Sequence, residues 1–305
     1  MSLVIKHSNN PSFIQKLIDA GYCAVECSIG GKSLTGPLSM DHHGENSHLE
    51  GVAVRAYRDH FGAGKDLKGY VVTGKGDADA TFAIAGLEGL LPHPSNDITG
   101  KPWLTGFDQD VSELADLVNL MDTAPIGVRL EDEGKNGSLL LAFNMLSGGA
   151  EDACSFYAGV DRWRNLTMRP SKALLDAASE SEKTRVEAAR EVCILQRGSG
   201  IVALTSKVWG FDVWYADIAP CIIALTPDHN ITIGCKDLET AETLFGPGGL
   251  KNVFAELQPE GWGGRETIGG SPRGKKMTTF DAVNAVYTLN DATLDVKRQD
   301  AQTAI

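Results

Sequence analysis

Tyr70-Val71-Val72-Thr73-Gly74-Lys75-Gly76-Asp77-Ala78-Asp79-Ala80-Thr81 leads into an apolar run ending at Leu91-Pro92. The first three residues read as a buried strand, the glycines as a turn, and Thr81 to Leu91 as a helix stopped by proline. The same alternation runs upstream. Val4-Ile5 is a short strand ending at His7, and Pro11 to Ile18 starts a helix that Gly21 closes. Tyr22 to Cys27 is a second strand, ended by Gly30-Gly31, and a third near Leu38 leads into Asp41-His42-His43-Gly44. Helical spacing follows from His48 to Phe61 and again from Val111 to Leu120, before Met121-Asp122. Strands alternating with helices predict an α/β fold, with a mostly parallel sheet covered by helices on both faces.

In such sheets ligands collect beyond the C-terminal strand ends. His7, Glu26, the Asp41-His42-His43 triplet and Asp77/Asp79 all fall at or just after expected strand ends. Carboxylates and imidazoles together suit Mn²⁺, Mg²⁺ or Zn²⁺ rather than a thiolate-selected metal. Two such clusters suggest a hydrolytic centre in which paired ions clamp the attacking and leaving oxygens. Each residue also has a plainer reading. The Asp77/Asp79 pair can cap a helix, with Asp79 before Thr81 able to cap in either case. His7 can be a hydrogen-bonded turn residue, Glu26 a surface acid, and the triplet a turn with an exposed His pair.

A chain of 305 residues has room for about two domains. Its 42% hydrophobic and 22% charged content is ordinary for a globular protein. A net charge of −12 argues against long duplex nucleic acid but permits a small phosphorylated substrate held by local Arg and metal. The six cysteines form no Cys-x-x-Cys pair and read as reduced, mostly buried residues. With no basic-then-apolar leader and no membrane-length apolar run, a cytoplasmic protein without a membrane partner is expected.

Beyond a polar helix at 171–196, strands are expected at Ile201–Leu204, Cys221–Leu225 and Ile231–Cys235. Helices follow around Leu238–Phe245 and Leu250–Leu257, and the chain from about Asp291 reads as a polar, frayed end. Gly261-Trp262-Gly263-Gly264-Arg265-Glu266-Thr267-Ile268-Gly269-Gly270-Ser271-Pro272-Arg273-Gly274 reads as a loop. Its unobstructed amides, with Arg265 and Arg273, suit anionic oxygens. Its plainer reading is a surface loop. Trp262 could stack on a base, while Trp103, Trp209 and Trp214 read as core or domain-interface residues.

These motifs resemble the DHH phosphoesterase superfamily, whose name-giving motif is matched by Asp41-His42-His43-Gly44. Val25 to Gly31 is similar to the MYG-type exonuclease branch, and Asp122-Thr123 resembles the family's last metal-binding acid. The first family motif, His-x-x-x-Asp-x-Asp, is altered. His7 is in place, Pro11 and Phe13 occupy the acid positions, and Asp77-Ala78-Asp79 follows the triplet instead. The glycine-rich stretch looks like the loop of the DHH-associated C-terminal domain, with Arg265 where a His is common.

The resemblance implies a DHH-like catalytic domain at 1–165, a helical connector at 166–198, and a smaller α/β substrate domain at 199–305. It also implies two divalent ions, Mn²⁺ foremost, held by His7, Glu26 as the bridge, His42, Asp77, Asp79 and Asp122. Asp41 would orient a neighbouring imidazole and His43 would face the phosphate, these two being the catalytic pair. Gly263, Gly264, Arg265, Gly269, Gly270 and Arg273 would bind substrate. The implied activity is phosphohydrolysis of a small nucleotide or short oligonucleotide by metal-bound hydroxide, and a homodimer is compatible with it. Two alternatives remain open: a degenerate member that binds nucleotide or metal without turnover, and a metallohydrolase of amides or esters.

Overall fold

The computed structural model describes residues 3–29, 32–36, 38–43, 46, 48–93, 111–123, 128–272 and 274–303. Gly30-Gly31, Gly44, Trp103 and Arg273 lie outside the described residues. The protein is mixed α/β, and its backbone divides into two compact units. One comprises Met1–Thr123 and Arg129–Ser181, the other Ala124–Val128 and Glu182–Ile305.

The first unit runs β1 (Ile5–His7), α1 (Pro11–Asp19), β2 (Cys23–Val25), β3 (Ser28–Ile29), β4 (Lys32–Ser33), α2 (Val52–Arg58), β5 (Tyr70–Val72), α3 (Ala78–Leu87), α4 (Val111–Thr123), α5 (Gly134–Leu146) and α6 (Ala153–Met168). Its sheet has the order β1-β5-β2 and is wholly parallel, with His7, Val72 and Val25 in register at one edge. All three strands therefore deliver their next residues to the same side of the sheet. Ile14 of α1 packs on Ala24 and Val71. Asn10 caps α1 by accepting from the Phe13 amide, with Pro11 at the first helical position.

Several expected elements change form. The strand near Leu38 is only an isolated bridge between Met40 and Val25, and the local hairpin is β3–β4 instead. The helix expected from His48 shortens to α2 because Gly51 and Val52 point their amides at side chains of α4 and α3. Helices α5 and α6 lie in sequence given no assignment above. Burial explains their formation: α5 hides Leu139 to Phe143, and α6 hides Phe156, Val160 and Trp163.

Trp163 stacks on Phe143 at 4.3 Å and meets Phe82 of α3 edge-on at 5.2 Å. Its Nε1 donates to the Ala78 carbonyl at 3.1 Å, bracing the first turn of α3. This aromatic junction works because α6 approaches α3 closely at Gly159, where a Cβ would meet Thr81 Cγ2 at 2.5 Å.

Helix α7 (Lys172–Arg190) crosses the boundary between the units. The second unit continues with β6 (Cys193–Arg197), β7 (Ile201–Thr205), α8 (Phe211–Asp217), β8 (Cys221–Leu225), β9 (Ile231–Cys235), α9 (Leu238–Phe245), β10 (Gly263–Gly264), β11 (Ile268–Gly270) and α10 (Thr279–Thr303). The sheet order is β10-β11-β9-β8-β7-β6, and only β7 and β8 pair in parallel. Period-two alternation splits the core. Ile201, Ala203 and Ile223 face one apolar cluster with residues of α9 and α10, while Val202, Leu204 and Ile222 face another around Trp214.

The expected frayed C-terminus is instead α10. The helix is anchored upstream of Asp291 by a buried stripe of Ala282, Ala285, Val286 and Leu289, and Thr293 carries that face beyond it. The helix expected at Leu250–Leu257 is only a 3₁₀ turn, Gly249–Asn252.

Gly159→Ala should lower stability by up to about 2 kcal/mol, because overpacking at a helix contact costs about 1–3 kcal/mol against a gain of roughly 1 kcal/mol in helix propensity. Gly148, which has nothing within 4 Å, provides the control. Gly148→Ala should change urea unfolding by no more than about 0.5 kcal/mol.

Candidate metal centre

Glu26 follows β2 with φ +53°, a left-handed backbone uncommon for a side-chain-bearing residue. Its backbone is held on two sides: the amide donates to the Met40 carbonyl at 2.8 Å, and Thr73 Oγ1 donates to its carbonyl at 2.9 Å. That conformation sets the carboxylate against His42, whose Nε2 lies 2.9 Å from Glu26 Oε1. The same nitrogen lies 3.1 Å from Asp122 Oδ2 and 3.4 Å from Asp79 Oδ2. Glu26, His42, Asp79 and Asp122 can each offer one ligand atom with all four atoms within 4.8 Å of one another. Glu26, His42 and His43 form a second such group.

The four donors come from separate segments. Glu26 ends β2, His42 lies in the turn after Met40, Asp79 is in the first turn of α3, and Asp122 is in the last turn of α4. His42 and Asp79 are buried, Glu26 nearly so, and the Asp122 side chain is 32% exposed, which leaves the cluster one open side.

Asp77 and Asp79 have separate jobs. Asp77 is the N-cap of α3, its Oδ1 accepting from the Ala80 amide at 3.0 Å. Asp79 caps a different helix, accepting from the Val52 and Ala53 amides of α2 at 3.1 and 2.8 Å. Asp77 thus caps α3 as the capping reading had it, whereas Asp79 lies inside α3 rather than before it, and its Oδ2 also faces His42 Nε2 in the four-donor group. Asp77 is outside that group but close enough to raise the pKa of Glu26.

His7 is also outside it. Its Nε2 donates to the Gly74 carbonyl at 2.9 Å, as in the turn-residue reading. Asp41 orients His43: His43 Nδ1 donates to Asp41 Oδ1 at 2.9 Å, leaving the His43 side chain 42% exposed. Burial alone would raise Asp41, yet the donors from His43 hold it below the usual carboxylate range.

The glycine-rich stretch is an edge hairpin rather than an open loop. Gly263 pairs with Gly270 and Gly264 with Gly269, and β11 is flanked on its other side by β9. The Arg265 amide closes the turn on the Ile268 carbonyl at 2.7 Å. Trp262 is buried in the apolar core of the second unit, which corrects the expectation of a base-stacking surface. Trp214 is core as expected, whereas Trp209 is 45% exposed.

No family model, no curated protein and no solved structure matches this chain. Among the described residues, no helix is long and apolar enough to cross a membrane.

The donor set fits a hard divalent cation. Two like charges about 4 Å apart repel by about 4 kcal/mol at an effective dielectric near 20, so this many carboxylates cannot all ionise unaided. Burial, then Asp77, Asp79 and Asp122, raise Glu26 well above its ordinary range. Burial and then Asp122 raise Asp79, against the opposing pull of His42 and the α2 amides. Asp77 is pushed up to about 7, mostly by burial. A bound cation would relieve all three.

Because the folded pKa values exceed the unfolded ones, these acids lend stability below the unfolded value, near pH 4, and lose it as pH rises through the folded values. Metal-free protein should therefore be less stable at pH 8 than at pH 6, by on the order of 1 kcal/mol or more. Mn²⁺ should raise the melting temperature more at pH 8 than at pH 6, because metal competes with protons. Differential scanning fluorimetry at the two pH values, with EDTA or Mn²⁺, checks both signs.

Proposed function

We propose that this chain is a divalent-metal-dependent phosphohydrolase of DHH type, acting on a small nucleotide or short oligonucleotide. The observation that carries the reading is the meeting of Glu26, Asp79 and Asp122 around one nitrogen of His42. These four would hold metal, with Asp77 beside them and two ions as the proposed stoichiometry. Bound there, the ions would supply Lewis-acid polarisation of a phosphoryl oxygen and an attacking water of lowered pKa.

The chain's own residues do the rest. His43, held through Nδ1 by Asp41 and with its side chain 42% exposed, would offer its ring to a phosphoryl oxygen. Glu26 and Asp79, buried and crowded, are pushed toward their protonated forms without cation, so loading would displace protons from them. A net charge of −12 disfavours long nucleic acid and favours a small substrate.

A second reading is metal or nucleotide binding without turnover. Pro11 and Phe13 lie in α1 where the family pattern has acids, and the His7 Nε2 is spent on Gly74.

Asp122 gives the clean test because Asp79 also caps α2. Loss of a residue outside the metal's own ligands already costs about 10–100-fold, so Asp122→Asn should reduce Mn²⁺-dependent hydrolysis of bis-p-nitrophenyl phosphate by at least about 100-fold. It should also lower metal content by elemental analysis while leaving the fold intact. Metal in the wild type with no turnover on that ester or on short oligonucleotides would select the second reading. Absence of metal binding would reject the hydrolase reading and leave nucleotide binding without turnover.

A further inference from the structure

Arg55 lies midway along α2, and each nitrogen of its guanidinium donates to a main-chain oxygen. Nη1 donates to the Ser39 carbonyl at 2.6 Å, Nη2 to the Asp41 carbonyl at 2.9 Å, and Nε to the Glu50 carbonyl at 3.0 Å. These acceptors bracket the Asp41-His42-His43 turn on both sides.

The turn needs such a hold. Ser39 has φ +52°, a conformation that costs a residue with a side chain on the order of 1 kcal/mol. Met40 contributes only one bridge to Val25 rather than a strand. Among the described residues, the turn's own backbone bonds are isolated ones, such as the Ser39 amide to the Gly36 carbonyl, rather than a ladder like the one that leads β2 into Glu26.

The same helix grips Asp79 from its other end, through the Val52 and Ala53 amides. Asn119 of α4 accepts from the Gly51 amide at 2.6 Å, three residues before Asp122. Helix α2 thus touches three of the four ligand-bearing segments, and Arg55 is its only side-chain link, among the described hydrogen bonds, to the turn that carries both histidines.

We propose that Arg55 is a positioning residue that fixes His42 and His43 relative to Glu26 and Asp79, and so sets the affinity of the centre for a divalent cation; this rests on the metal-binding reading above. Each of the three guanidinium nitrogens donates to a main-chain carbonyl, and two of those carbonyls belong to Ser39 and Asp41, so Arg55 acts on the turn. Its fork reaches three carbonyls at once, whereas a lysine ammonium is a single compact donor centre on a flexible stem.

The test compares wild type, Arg55→Lys and Arg55→Ala by calorimetric titration with Mn²⁺, and by the visible spectrum after loading with Co²⁺. Arg55→Ala should bind Mn²⁺ about 10–100-fold more weakly, with an altered Co²⁺ spectrum, and Arg55→Lys should fall between. Millimolar methylguanidinium should recover part of the affinity in Arg55→Ala and leave the wild type unchanged.

Equal affinity and equal spectra in the three proteins would overturn the proposal. So would a loss in Arg55→Ala that tracks a fall in metal-free melting temperature and ignores methylguanidinium, since that marks a purely structural role. Should Arg55→Ala not fold, Arg55→Lys with wild-type affinity and spectrum would overturn it equally. If wild type itself takes up no Mn²⁺ or Co²⁺, the metal-binding reading fails and this role falls with it, an outcome distinct from normal wild-type binding with indifferent variants.

Discussion

Negative charge crowded into a buried place is the constraint on which the first unit depends. Glu26, Asp77 and Asp79 are all pushed toward their neutral forms by burial and by one another. A fold that needed only stability would not gather them, because apolar residues of similar volume serve a core at least as well. The surrounding structure is over-determined to keep them together: amides of α2 on Asp79, the Ala80 amide on Asp77, and Thr73 and Met40 on the backbone of Glu26.

Seen from this cluster, the sheet and helices are a delivery system. Three parallel strands in register bring Glu26 and Thr73 to one edge, and β5 continues through a glycine turn into α3. Trp163 pins the first turn of α3 through the Ala78 carbonyl, so the apolar core formed with Phe82 and Phe143 also sets the placement of Asp79. Helix α2 does the equivalent for the histidine turn. Packing and electrostatics are joined here, since loosening the aromatic core would loosen the carboxylates as well.

Much of this was legible in the chain and some was not. The strand–glycine–helix run at 70–91 carries its meaning locally, because a β-branched pair, a glycine turn and an apolar helix each have strong propensities of their own. The short bridge at Met40 and the 3₁₀ turn at Gly249 escaped the reading because they are set by partners far along the chain. Arg55, Asn119 and Trp163 carried no motif. Arginine bonding to carbonyls, asparagine accepting one amide and tryptophan in a core are common roles, and only their partners make them matter here. Trp262 failed the other way: its glycine-rich neighbourhood suggested an open loop, while the strand pairing of β10 and β11 and the core beneath them bury it.

By itself, the sequence determined the alternation of strand and helix in the first unit, the residue types able to hold a hard cation, and the place of Glu26 just past a strand end. Those properties are local: propensity, periodicity and side-chain chemistry act over a few residues. Which of the candidates meet was decided by the tertiary structure alone. His42, Glu26, Asp79 and Asp122 converge, while His7 turns to Gly74 and Asp77 caps its own helix. The physical reason is that convergence over nearly 100 residues of chain is set by register and packing, where a shift of one residue in a strand would reverse the side chain's face. The sequence spacing of the ligands carries no record of that choice.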